Sequence, residues 1–142
     1  MKRSPLEFRV DFDEFERWMR QAKHTLRLVE ADLEAGGYDW ACFKSQQACE
    51  FALKALLRGL GRQAFGHNIL SFYRQVSEIC GGSEEIEDCV SYLDKLYIPP
   101  RYPDAFPEGS PAEHFTRKDA LKAKECSKKI IEWVERCLAI QH

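Results

Sequence analysis

Apolar residues recur every three or four positions through most of this chain, a period that predicts helices. From about residue 13 to 35, Phe15, Trp18, Met19, Ala22, Leu26, Val29 and Leu33 fall on one face of an amphipathic helix. Asp11 or Asp13 stands where a cap is needed, and "AGG" at 35–37 ends the run because glycine accepts the left-handed backbone that stops helices. A second helix, about 39–60, carries Phe43, Gln47, Glu50, Phe51, Lys54 and Leu57 in one broad, partly polar band. With Leu53, Leu56 and Leu60 around that band, it is apolar enough to occupy the middle of a bundle. His67 or Asn68 caps a shorter helix through Ile69, Leu70, Phe72, Tyr73, Val76 and Ile79, which "CGGS" breaks after residue 80. A fourth, about 84–97, opens on Glu84, Glu85, Glu87 and Asp88, acids that suit the positive end of a helix dipole.

The helical period stops at "LYIPPRYPDAF", residues 96–106. Prolines at 99, 100, 103, 107 and 111 predict an ordered but irregular loop over 98–115, since each removes a backbone donor. Thr116 and Asp119 then make a capping-box start for a last helix to about residue 138. Its inner stripe is Ala120, Ala123, Ser127, Ile130, Val134 and Cys137 or Leu138. No segment of useful length alternates with a strand's period. The expected fold is all-α: an antiparallel up-and-down bundle of four main helices plus a short one, forming a single domain over 1–142 with its core at about 13–138.

Composition narrows the class. Hydrophobic residues make up 44% of the chain and charged ones 31%, which is too apolar for a disordered protein. A formal net charge of −2 argues against coating nucleic acid through bulk positive charge. The basic start "MKR" leads into charged residues instead of an apolar signal region, and no apolar run approaches transmembrane length. The expectation is a cytoplasmic protein with no membrane association. Six cysteines show no C-x-x-C pair, and Cys42 and Cys49 lie two turns apart on one helix, so they read as reduced thiols in or near the core. Paired zinc ligands at short spacing are missing from the sequence, and no metal or other cofactor is expected.

Two groups of residues carry candidate chemistry. Gln47, Glu50 and Lys54 share one helix face, so an amide, an acid and an amine line up. The bland reading is a solvated Glu50–Lys54 pair contributing about 0.3 kcal/mol; the functional one is a polar seam that packs on the proline loop and fixes Arg101, or meets a ligand there. Arg101, Tyr102 and Asp104 form the second group. An arginine between prolines has its backbone preset, so its planar fork is aimed at a phosphate or carboxylate at little ordering cost. The competing reading is an Arg101–Asp104 turn pair. Tyr97 and Tyr102 add faces on which a base can stack. The four histidines lack metal-ligand spacing, and neither a phosphate-binding glycine loop nor a nucleophile elbow occurs. Arg117, Lys118, Lys122, Lys124, Lys128 and Lys129 give the last helix a basic stripe, ordinarily a solvated face.

Taken in order, "YDWACFKSQQACEFALKALL", "GHNILSFYRQV", "LDKLYIPPRYPDAF" and "FTRKDALKAKECSKKIIEWVE" resemble the second helix, third helix, loop and closing helix of the HEPN domain family. The resemblance implies a homodimer of helical bundles that works beside a minimal nucleotidyltransferase in a two-protein, toxin–antitoxin-like system and binds a nucleotide or RNA. Many relatives are ribonuclease toxins whose motif is an arginine followed a few residues later by a histidine. Here His114 is the next histidine after Arg101, thirteen positions on; Arg62 and His67 have the short spacing but precede the third helix, and are read as coincidence. The leading expectation is therefore a binding subunit whose site is Arg101, Tyr102, Asp104, Tyr97, Gln47, Glu50 and Lys54. One alternative is a metal-independent ribonuclease using Arg101 with Asp104, His67 or His114. Another is a structural bundle in which Arg101 pairs with Asp104 or Glu50. A surplus of large aromatics, Trp40 and Phe65 among them, further predicts an exposed patch and a two-fold dimer with two Arg101 side chains flanking one cleft.

Overall fold

The structure, a computed structural model, describes residues 10–141; the basic start falls outside them. Helix α1 spans Phe12–Glu34, α2 Tyr38–Gly59, α3 Ile69–Cys80, α4 Glu84–Asp94, α5 Pro111–His114 and α6 Arg117–Gln141, with a 3-10 turn at Pro103–Ala105. No strand occurs among the described residues, and none of their helices is long and apolar enough to cross a membrane. The all-α reading holds.

Local chemistry sets the helix ends. The Asp11 carboxylate accepts from the Glu14 N–H at 3.0 Å, and Asn68 accepts from the Ser71 N–H at 3.1 Å, so Asp11 and Asn68 are the caps of α1 and α3. At α6 the box is reciprocal: Asp119 accepts from the Thr116 N–H at 2.9 Å and Thr116 from the Asp119 N–H at 3.2 Å.

Helix α2 packs against α1, α6, α3, α4 and α5 and is the middle of the bundle. It is buried on nearly every side, by Leu53, Leu56 and Leu57 together with Ala41, Ala48, Ala52 and Ala55, whose small side chains let neighbouring helices approach. At Gly59 a β-carbon would stand 3.2 Å from that of Phe15, and the Gly59 carbonyl accepts from the Asp11 N–H at 2.7 Å. The start of α1 is thus tied directly to the end of α2.

Three expectations change. Helix α4 stops at Asp94, and the Lys95 and Leu96 N–H groups turn back to the carbonyls of Tyr92 and Leu93. The proline loop contains α5, because Pro111 occupies a first-turn position where its missing N–H costs nothing, and Ser110 and Glu113 cap it. The cysteines are not all reduced: Cys80 at the end of α3 and Cys137 on α6 form a disulfide with their Cα atoms 5.3 Å apart. Those two residues are 57 apart in sequence, and it is the packing of α6 against the α3–α4 corner that brings them together. Cys42, Cys49, Cys89 and Cys126 are free and buried. Burial, with Asp119 and Asp39 nearby, pushes the Cys42 thiol up to about 12.

Candidate functional site

The proline loop and α2 build one continuous cluster. The Arg101 N–H donates to the Ile98 carbonyl at 3.0 Å, closing a turn over Pro99 and Pro100, and the Arg101 Nε donates to the Tyr97 carbonyl at 2.8 Å. The guanidinium carbon then lies 4.3 Å from the centroid of Phe43, 4.5 Å from Tyr97 and 5.1 Å from Tyr102. Each ring face attracts a cation by about 0.5–1 kcal/mol at exposed sites, so an aromatic cage holds the fork. No carboxylate pairs with Arg101 among the described residues. Asp104 is exposed in the 3-10 turn and leaves the guanidinium alone, so the Arg101–Asp104 turn pair is not formed. The Arg101–Glu50 pair is not formed either.

Glu50 is committed elsewhere. It is only 1% exposed, and its carboxylate accepts from Lys54 Nζ at 3.2 Å, from His67 Nδ1 at 3.0 Å and, weakly, from the Gln47 amide at 3.5 Å. The same Gln47 amide donates to Gln46 Oε1 at 2.7 Å. Lys54 is 7% exposed, with its ammonium 5.5 Å from the Phe72 ring and 5.8 Å from that of Trp18. The expected solvated i,i+4 pair is therefore a buried one, and removing either partner would leave a desolvated charge.

His67 joins the two groups. Its ring stacks on Tyr97 with centroids 4.6 Å apart, so Tyr97 carries both the imidazole and the Arg101 guanidinium. A carboxylate only accepts, so His67 Nδ1 carries the proton donated to Glu50. Its Nε2 is left without a protein partner among the described residues, on a side chain that is 52% exposed. This is the base-and-orienter arrangement of acid–base catalysis. His114 is engaged differently: it stacks on Phe106 with centroids 4.1 Å apart, and its Nε2 donates to the Glu108 carbonyl at 2.8 Å.

Of the residues read from sequence, Arg101, Tyr97 and Tyr102 meet in the cage, while Gln47, Glu50 and Lys54 form the support beneath His67. Sequence reasoning names His67 only as one of three alternative partners of Arg101 and misses its contacts with Glu50 and Tyr97, and it misses Phe43 as a member of this cluster. Phe43 looks like part of a core stripe, and no spacing rule links positions 50, 67 and 97. The Glu50 carboxylate among the alanines and leucines of α2 is the available signal, since a buried acid must find a partner.

The model of the HEPN domain matches residues 15–137. This chain belongs to the HEPN domain family. Among solved structures, the HEPN chain is similar to TT1696 from Thermus thermophilus, with 42% identity and a TM-score of 0.83, covering 87% of this chain and 97% of that one. It is also similar to ST0689, an archaeal HEPN homologue, at 35% identity and TM-score 0.73, covering 87% and 97%. A HEPN domain protein from Thermotoga maritima matches at 36% identity and TM-score 0.69, covering 87% and 98%. Human sacsin is 29% identical over 128 residues, 83% of this HEPN chain, which spans only 3% of sacsin's length.

Proposed function

We propose that this HEPN protein binds a phosphate-bearing ligand, a nucleotide or an RNA end, at the Arg101 cage, and serves as the partner subunit of a nucleotidyltransferase. The observation that supports the reading is a guanidinium stacked on Phe43 and Tyr97 with no acid paired to it among the described residues. Such a fork is prearranged and carries uncompensated charge, the two conditions under which arginine takes phosphate strongly. Tyr102 and Trp40, both about half exposed, offer faces for a base. In a two-fold dimer, two such cages facing each other would repel until an anion sat between them.

The test is calorimetry with ATP, GTP and a 5′-phosphorylated oligoribonucleotide. Arg101→Ala should weaken binding about tenfold to a hundredfold, the loss of one charge-assisted contact of about 1.5–3 kcal/mol. Arg101→Lys should retain only part of the affinity. Equal binding by wild type and Arg101→Ala, or none by wild type, would sink the ligand reading. Co-expression with nucleotidyltransferases encoded beside the gene tests the partner, and failure of any to co-purify counts against it.

A second reading is favoured by the Glu50–His67 dyad: cleavage of RNA, with His67 Nε2 taking the proton of a 2′-hydroxyl and Arg101 steadying the phosphate. Strong induction should then arrest growth, and His67→Ala should relieve the arrest. Intact RNA after incubation with purified wild-type protein would remove this reading and leave the binding one standing.

A further inference from the structure

Away from the Arg101 cage, two thiols meet between α4 and α6. Cys89 and Cys126 both line one surface cavity of about 460 Å³, together with Glu85, Asp88, Lys122, Glu125 and Lys129. They differ from the other free cysteines: Cys42 and Cys49 are wholly buried, whereas Cys89 and Cys126 keep 6% and 7% exposure at the cavity floor. Lys129 is held at the rim by Glu85 at 3.1 Å, and Lys122 lies 4.3 Å over the Tyr92 ring.

The placement repeats one already used by the fold. Cys80 and Cys137 join the α3–α4 corner to α6. Moving nine residues along the chain from Cys80 reaches Cys89, and moving eleven back along α6 from Cys137 reaches Cys126. Eleven residues are about three helical turns, so Cys126 and Cys137 lie on one stripe of α6 about 16 Å apart. Both are buried on the side that faces the rest of the bundle. We propose that Cys89 and Cys126 are a redox site, a dithiol that a small hydroperoxide entering the cavity converts into a second crosslink between α4 and α6.

The chemistry balances. The Cys89 sulfur attacks one peroxide oxygen, the O–O bond breaks, and the thiol proton leaves with the departing hydroxide as water. Cys89 becomes a sulfenic acid, oxidised by two electrons. The Cys126 sulfur then attacks Cys89, the S–O bond breaks, and the Cys126 proton completes the second water. Two thiols and one hydrogen peroxide give one disulfide and two waters. Burial and the contact with Cys89 push the Cys126 thiol up to about 12 while Lys122 and Lys129 pull it down. Cys89 is assigned the first attack and Cys126 the resolving step, the two sulfurs facing the same cavity.

Folded protein would be exposed to hydrogen peroxide, alkylated in denaturant and mapped by non-reducing digestion. The expected result is the loss of two alkylatable thiols per chain and a crosslinked peptide joining Cys89 to Cys126, with Cys42 and Cys49 still alkylated. In Cys126→Ser the reaction should stop at a sulfenic acid on Cys89 that dimedone traps. Glutathione disulfide, run in parallel, should give the crosslink more slowly or leave a mixed disulfide, because the cavity floor admits a small oxidant better than a tripeptide. The proposal is overturned if Cys89 and Cys126 remain alkylatable in peroxide-treated wild type, or if Cys42 and Cys49 are consumed at the same rate.

Discussion

Glu50 shows how one residue in the middle of a helix can decide a site. Truncation to alanine leaves the Lys54 ammonium buried without its counter-ion, so Glu50→Ala should cost about 3–5 kcal/mol in urea denaturation, while the double change Glu50→Leu with Lys54→Met should cost less than the single one. The helical period places Glu50, Gln47 and Lys54 on one face correctly, but their burial depends on helices that arrive from elsewhere in the chain. The place of His67 beside Glu50 and Tyr97 is illegible for the same reason, because it reaches them only through the path of the chain after α2. Arg101 is legible because prolines announce a fixed backbone without any tertiary information. Glu14 offers a pH test. Hydrogen bonds from Arg17 and Trp18, opposed by partial desolvation and helped by Arg58, lower its carboxyl from 4.5 to about 2. A group lowered on folding stabilises above its unfolded value and loses that effect as pH falls toward the folded one. The stability gap between wild type and Glu14→Gln should therefore be full at pH 7 and shrink between about pH 5 and pH 2, as followed by denaturation at a series of pH values.

At the level of helices, caps and apolar stripes are readable because they are local: Asp11, Asn68 and the Thr116–Asp119 box act within one turn of themselves. Helix α5 is not, because five prolines read as a uniform veto when one of them, Pro111, stands where proline starts a helix. The Cys80–Cys137 bridge lies beyond reach because cysteines at apolar helical positions look the same whether free or paired. Its closure of a 57-residue separation predicts stabilisation of up to about 4 kcal/mol by loop entropy. Cys137→Ser should therefore lower the denaturation midpoint, and a reducing agent should lower that of wild type but not of the variant.

Across the whole molecule, four long or medium helices around α2 leave a surplus of large apolar side chains on the surface, with Trp40, Ile98 and Tyr102 near half exposure and Phe65 more exposed still. Light scattering at micromolar concentration should find a dimer, and Trp40→Ser with Ile98→Ser should shift it toward monomer if the cage side is the seam. The three tryptophans also divide the bundle into separate optical windows. Trp133 is buried, and its indole N–H donates to the Gly81 carbonyl at 3.2 Å, next to the Cys80 bridge. Trp18 donates to Glu14 at 3.0 Å beneath the Arg58 guanidinium, 4.8 Å from its ring. Trp40 faces solvent with its ring 6.2 Å from Phe43, on which Arg101 lies. Light emitted from the buried indole should brighten when the neighbouring sulfur bridge is reduced, and only the red-edge emission of the exposed one should respond when an anion settles in the cage.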